Sequence, residues 1–184
     1  MTNPRCLLMG CGGIGGILAA KLIQAGRDLT LVTHNPAIAD AINSQGLVVE
    51  DEGQQDVVAA RAAPTLPSSA DPFDFIFLAM QPPQVEDAAR SALPFLAPNG
   101  AMVCLQNGLC EQRVAAIAGP QDTLGAIVAW GGSMLEPGRY ERTSEGGFVI
   151  GRLDGASEPR LDTLCDLLAP IGPVQVTRNL RGAR

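Results

Sequence analysis

The sequence predicts an α/β fold: a Rossmann-like, doubly wound, mainly parallel sheet with antiparallel strands added in its C-terminal part. Three observations carry this. The apolar run Leu7-Leu8-Met9 passes directly into Gly10-Cys11-Gly12-Gly13-Ile14-Gly15, a G-x-G-x-x-G loop, and then into a helical pattern. The stretch Phe73-Asp74-Phe75-Ile76-Phe77-Leu78-Ala79-Met80 is almost wholly apolar, as befits a strand covered on both faces. Strand-like and helix-like segments alternate through the N-terminal part, separated by short Gly, Pro and Asn turns.

The elements follow in order. Residues 5–9 form the first strand. Gly13 to Ala25 form the first helix, with Ile14, Ile17, Leu18, Leu22 and Ala25 on its apolar face and Gly26 as its stop. Asp28 to Thr33 form the second strand, closing a βαβ unit. A second helix starts at Pro36, a residue suited to a first turn, and ends before Gln45-Gly46. Leu47–Glu50 and Val57–Ala60 read as two short strands around a polar turn, and 64–72 as a loop. After the Phe73–Met80 strand, a helix places Val85, Ala88, Ala89, Ala92, Leu93 and Leu96 inward and stops at Pro98-Asn99-Gly100. Ala101–Leu105 is again a strand, and Leu109–Ala118 a helix. Thr123–Trp130 is a strand, and Met134 to Arg142 a hairpin around Pro137-Gly138, a type II turn pair. Phe148–Gly151, a helix from Glu158 to Leu168 and Val174–Thr177 complete one domain.

Each glycine of the loop has a physical task. Gly10 permits the tight turn out of the strand, Gly12 lets the backbone approach a pyrophosphate, and Gly15 lets the helix pack closely on the strand. The helix N-terminus offers unpaired N–H groups and partial positive charge to the phosphates.

Composition bounds the function. The chain has 184 residues, 46% hydrophobic and 17% charged, with a net charge of −6. An acidic chain argues against nucleic acid and anionic membranes as partners, whereas a helix terminus binds phosphate without net positive charge. No apolar stretch approaches the roughly 18 residues of a membrane span, and the N-terminus does not read as a signal peptide. The five cysteines are odd in number and lack C-x-x-C spacing, so no zinc site or disulfide framework is expected. They read as small apolar residues of a reducing cytoplasm. No metal site is expected.

In such a sheet ligands lie beyond the carboxyl ends of the strands. The tips are Gly10–Gly15, Thr33-His34-Asn35, Gln81-Pro82 and Gln106-Asn107-Gly108. An NAD-selective fold places an acid about 20 residues after the glycines, yet none lies between Leu29 and Ala39. Thr33, His34 and Asn35 instead offer hydrogen-bond donors to a 2′-phosphate, which favours NADP; a solvent-exposed loop histidine is the plainer reading of His34. Asn107 orients a nicotinamide or a substrate hydroxyl, or it is a turn or helix-capping residue. Ketone reduction needs a proton donor. Lys21, the only lysine, lies about 9 Å along the helix from the phosphate end, on a solvated face. Tyr140, the only tyrosine, sits in the hairpin. No catalytic residue is assigned.

Met9-Gly10-Cys11-Gly12-Gly13-Ile14-Gly15, Gln106-Asn107-Gly108, Glu136-Pro137-Gly138 and Phe148-Val149-Ile150-Gly151 together resemble the N-terminal domain of ketopantoate reductases (2-dehydropantoate 2-reductases). The resemblance covers essentially the whole chain. It implies reduction of ketopantoate to pantoate with NADPH, on the route to pantothenate, with a helical second domain supplying the catalytic lysine. Gly10, Cys11, Gly12, Gly13, Ile14 and Gly15 would hold the pyrophosphate. His34, beside Asn35, stands where the family usually has an arginine for the 2′-phosphate, and Gln81 where it has a lysine near the cofactor. Asn107 matches an asparagine near nicotinamide and substrate. Residues 1–178 would be the cofactor domain and 179–184 the start of the helical one. The expected partners are a 2-oxo acid, together with that second domain. An apolar face left uncovered offers a route to a homodimer. Two alternatives stand beside this reading: a reductase domain for another 2-oxo acid or an opine-like substrate, and a non-catalytic nucleotide-binding module.

Overall fold

The computed structural model describes residues 3–184. β1 (Arg5–Met9) runs into α1 (Gly13–Gln24), then β2 (Asp28–Val32) and α2 (Pro36–Gln45). A hairpin of β3 (Leu47–Asp51) and β4 (Gln54–Val58) follows, then the two-residue β5 (Ala62–Ala63) and β6 (Phe73–Leu78). α3 (Val85–Ala92), β7 (Leu96–Cys104), α4 (Cys110–Ala118) and β8 (Thr123–Val128) continue the alternation. A second hairpin, β9 (Gly131–Glu136) and β10 (Arg139–Ser144), precedes β11 (Phe148–Gly151), α5 (Arg160–Leu168) and β12 (Val174–Val176).

The main sheet has the order β5-β2-β1-β6-β7-β8-β11-β12. Every neighbouring pair is parallel except β8 with β11, the antiparallel addition that the sequence predicts. The strand order reverses between β1 and β6, and this switch point opens a cleft at the carboxyl ends. Successive side chains explain why both faces are apolar. Cys6 and Leu8 of β1 join Phe75, Phe77 and Val103 under α1 and α5. Leu7 and Met9 join Ile76, Leu78 and Met102 under α3 and α4.

The second hairpin departs from the expected arrangement. It does not extend the main sheet but forms a separate sheet of order β4-β3-β10-β9, in which β3 and β10 pair in parallel. Gly138 has φ +78, as the predicted turn requires, and its carbonyl accepts from Val48 N–H at 2.9 Å. This sheet covers the side of α1 that faces away from β1. Consecutive residues Ile17, Leu18, Ala19 and Ala20 are therefore all buried, and the helix is enclosed rather than amphipathic.

Two smaller corrections have simple causes. α3 ends at Ala92 rather than running to Leu96, because Pro94 has no N–H to continue the ladder. Leu96 and Pro98-Asn99-Gly100 belong to β7, with Asn99 at φ +66 marking an irregular start. The edge strand β5 lies in a stretch too short to carry a periodic signal. Among the described residues no helix is long and apolar enough to cross a membrane.

Candidate functional site

The β1–α1 loop is shaped by backbone contacts that exclude side chains. Gly10 adopts φ +97, a left-handed conformation, and donates its N–H to Val32 O at 2.8 Å. A methyl at Gly15 would overlap the Gly10 carbonyl oxygen, so helix and strand approach as closely as glycine allows. At Gly13 it would overlap the Gly132 carbonyl of β9, and at Gly16 the Tyr140 ring of β10. Gly12 is the exception: a methyl there would meet nothing within 4 Å. Gly12 is also the N-cap of α1, with no side-chain cap and no acid in the first turn. The first N–H groups of α1 lack intrahelical partners and end beside this open position.

Tyr140 holds the loop from beneath. Its ring is 1% exposed, and its hydroxyl donates to Cys11 O at 2.9 Å. Burial pushes the phenol above its ordinary pKa, so it stays a donor at neutral pH. The sequence places Tyr140 in the hairpin without a role; its geometry makes it a support of the loop. Lys21 is likewise not on a solvated face. It pairs with Asp51 of β3 at 2.9 Å, where Arg142 of β10 also approaches at 3.6 Å, tying α1 to the second sheet.

A cavity of about 670 Å³ opens at the switch point. It brings together Gly10, Cys11, Gly12, His34, Asn35 and Gln81, six of the residues that the sequence singles out. Gly13, Ile14, Gly15 and Asn107 are not in its lining. His34 and Gln81 are exposed at the tips of β2 and β6. Asn35 is exposed too, and its Oδ1 accepts from Ala37 N–H at 3.0 Å, capping α2. Ile14 packs half-buried against the core. Asn107 is exposed beyond β7 and does not cap α4, which starts without a side-chain cap.

On the opposite wall Gln84, Asp87, Ala88 and Ser91 line the cavity from α3 and the turn before it. Their spacing of three, four and seven residues is one helix face. The sequence places Ala88 inward, as it is found, but Gln84, Asp87 and Ser91 carry no signal that separates a cavity wall from a solvated surface.

Cys11 is 1% exposed inside the loop, and burial pushes its thiol up to about 12. Cys6 is raised to about 12 as well, by burial and then by Asp74 and Asp28. All five cysteines are free thiols, and Cys165 is the only one not fully buried. Brief alkylation with iodoacetamide at pH 8, followed by peptide mass spectrometry, is expected to label Cys165 first and Cys11 only after unfolding. Early labelling of Cys11 would contradict the closed loop. Among the described residues no group of three His, Cys, Asp or Glu side chains is placed to hold a metal ion.

The family model for ketopantoate reductase PanE/ApbA matches residues 6–155. The chain belongs to this family. It is 27% identical over 190 residues to a 2-dehydropantoate 2-reductase of Mesorhizobium japonicum, covering 91% of this chain and 58% of that protein. It is 30% identical over 148 residues to the 2-dehydropantoate 2-reductase of Pyrococcus horikoshii, covering 80% of this chain and 47% of that one. The chain thus spans about half the length of these ketopantoate reductase relatives. Among solved structures it superposes on a PanE/ApbA family ketopantoate reductase of Ralstonia eutropha with TM-score 0.85 and 25% identity, covering 97% of this chain and 58% of that one. A D-mandelate dehydrogenase solved with NADH and anilino(oxo)acetate shares the fold, with TM-score 0.85, 18% identity, and coverage of 96% and 58%.

Proposed function

We propose that this chain is the NADPH-binding half of a ketopantoate reductase, the reduction of 2-dehydropantoate to pantoate being completed by a helical domain outside it. One observation carries the cofactor reading. The open Gly12 and the uncapped start of α1 adjoin a cavity that reaches the acid-free tip of β2. The α1 N-terminus fits a pyrophosphate by its dipole and its N–H groups. His34 and Asn35 would hold the adenosine end, and Gln81 and Asn107, at the tips of β6 and β7, would face the nicotinamide end. Bound NADPH supplies the hydride. The residues described here hold and orient it, and the proton donor for the developing alkoxide comes from the remainder of the enzyme.

His34 and the Asn35 amide can donate to a 2′-phosphate, and no carboxylate between Leu29 and Ala39 repels it. Fluorescence titration of the chain is expected to show NADPH bound about tenfold more tightly than NADH, a difference of about 1.4 kcal/mol. His34→Asp should remove that preference. A tenfold preference of the unmodified chain for NADH would sink the assignment.

A second reading is supported by Gln81, which stands neutral where the family resemblance places a lysine: the enzyme acts on another 2-oxo acid. Assaying a polypeptide that carries this chain together with its helical domain against 2-dehydropantoate and other 2-oxo acids separates the two. Clear preference for 2-dehydropantoate removes the second reading.

A further inference from the structure

The bend after β7, which carries Asn107, is held at two points by one guanidinium. Arg184 Nη1 donates to the Gln106 carbonyl at 3.1 Å, and Arg184 Nη2 pairs with Glu111 Oε1 in the first turn of α4. Asn107 lies between these anchors in sequence. Glu111 is 1% exposed, and the Arg184 side chain is 13% exposed, so the pair is largely withdrawn from solvent. The Gln106 side chain fixes the same bend to β6, donating to Leu78 O at 2.9 Å and to Met80 Sδ at 3.3 Å. The far oxygens, Gln106 Oε1 and Glu111 Oε2, are buried without partners.

Arg184 reaches the bend because the segment before it is seated. Leu180 is fully buried against Gly125 of β8, where a methyl would overlap both the Leu180 side chain and the Glu111 carboxylate. Asn179 Oδ1 accepts from Gly182 N–H at 3.0 Å, and Ala183 N–H donates to Asn179 O at 3.1 Å, so a capped helical turn presents Arg184 to the bend. Gly108, at φ +90, gives the bend a flexible residue that the clamp must restrain.

We infer that Arg184 and Glu111 are positioning residues for the nicotinamide end of the site, fixing the bend that carries Asn107 and coupling it to the seating of residues 179–184. This rests on the dinucleotide reading proposed above. The clamp preorganises the loop, so its effect falls on the part of the ligand that meets Asn107 and spares the part that meets His34.

The test compares two ligands on the 184-residue chain: NADPH, and 2′,5′-ADP, which lacks the nicotinamide end. Arg184→Ala is expected to weaken NADPH about tenfold, the equivalent of about 1.4 kcal/mol, and to leave 2′,5′-ADP within about twofold. Arg184→Lys, which keeps the charge and can serve one acceptor, should restore part of the NADPH affinity. Glu111→Gln should reproduce the same split, and the Asn107 side-chain amide signals in 15N NMR should broaden or shift in both Arg184→Ala and Glu111→Gln. Should Glu111→Gln fail to fold, the Arg184 variants alone decide. Parallel losses for both ligands, or no loss for either, overturn the clamp while leaving the cofactor reading in place. Failure of the unmodified chain to bind either ligand removes the cofactor reading, and this inference with it.

Discussion

Gly15→Ala is expected to destabilise the chain by about 2 kcal/mol, although alanine is the better helix former. In a solvated helix interior the same exchange stabilises by about 1 kcal/mol, so the sign is diagnostic. The added methyl overlaps the Gly10 carbonyl oxygen and stands 3.1 Å from Ala79 Cβ. A backbone oxygen cannot rotate aside as a side chain can. Relief requires α1 to move off β1, and overpacking of this kind costs about 1–3 kcal/mol or more. For a chain of this size the thermal midpoint should fall by about 6 °C, as followed by circular dichroism. Displacing α1 also removes its N-terminus from the phosphate position, so NADPH binding should be lost. Gly12→Ala is the matched control. Its methyl meets no protein atom, so the midpoint should hold while NADPH affinity falls by at least about tenfold. An unchanged affinity in Gly12→Ala would mean that the phosphates lie elsewhere.

Tyr140→Ala should cost about 4 kcal/mol, in the usual range for an aromatic truncation in a core. The ring fills the space between β10 and α1 over Gly16, and its hydroxyl satisfies the Cys11 carbonyl. Tyr140→Phe keeps the ring and loses only the hydrogen bond, so about 1 kcal/mol is expected. Gly16→Ala is severe in the native background, since its methyl overlaps the ring, and mild in Tyr140→Ala, where the ring is gone. Urea titrations of the four species close a double-mutant cycle. Additive effects would show that the ring does not rest on Gly16.

The parts of the fold legible in the sequence are those where a local demand restricts residue type. Gly10 and Gly15 are legible because backbone contacts leave no room for another residue. The Phe75–Leu78 run is legible because burial on both faces needs apolar residues at every step. The β9–β10 hairpin is legible as a hairpin because Gly138 marks its turn. Its place is not, since β3 pairs with β10 across about ninety residues with no signal beyond ordinary strand patterning. Pairing between elements also hides the roles of Tyr140 and Lys21. Each is readable as a residue type, yet its partner, Cys11 O or Asp51, lies on another element. The candidate site divides similarly. The loop and the strand tips are legible from spacing and strand order, whereas the α3 wall and the Arg184–Glu111 pair depend on how elements pack.

The enclosure of α1 between two sheets gives the glycine loop an unusual standing. In many proteins a ligand loop belongs to the least stable part of the structure and can open while the core persists. Here the loop leads into the helix that both sheets share, with Gly13 against β9 and Gly16 against β10. The candidate loop is therefore built into the packed core rather than hung from it. Opening the loop is expected to require disrupting the packing of α1 between the two sheets, so its amides should exchange with solvent about as slowly as those of the core.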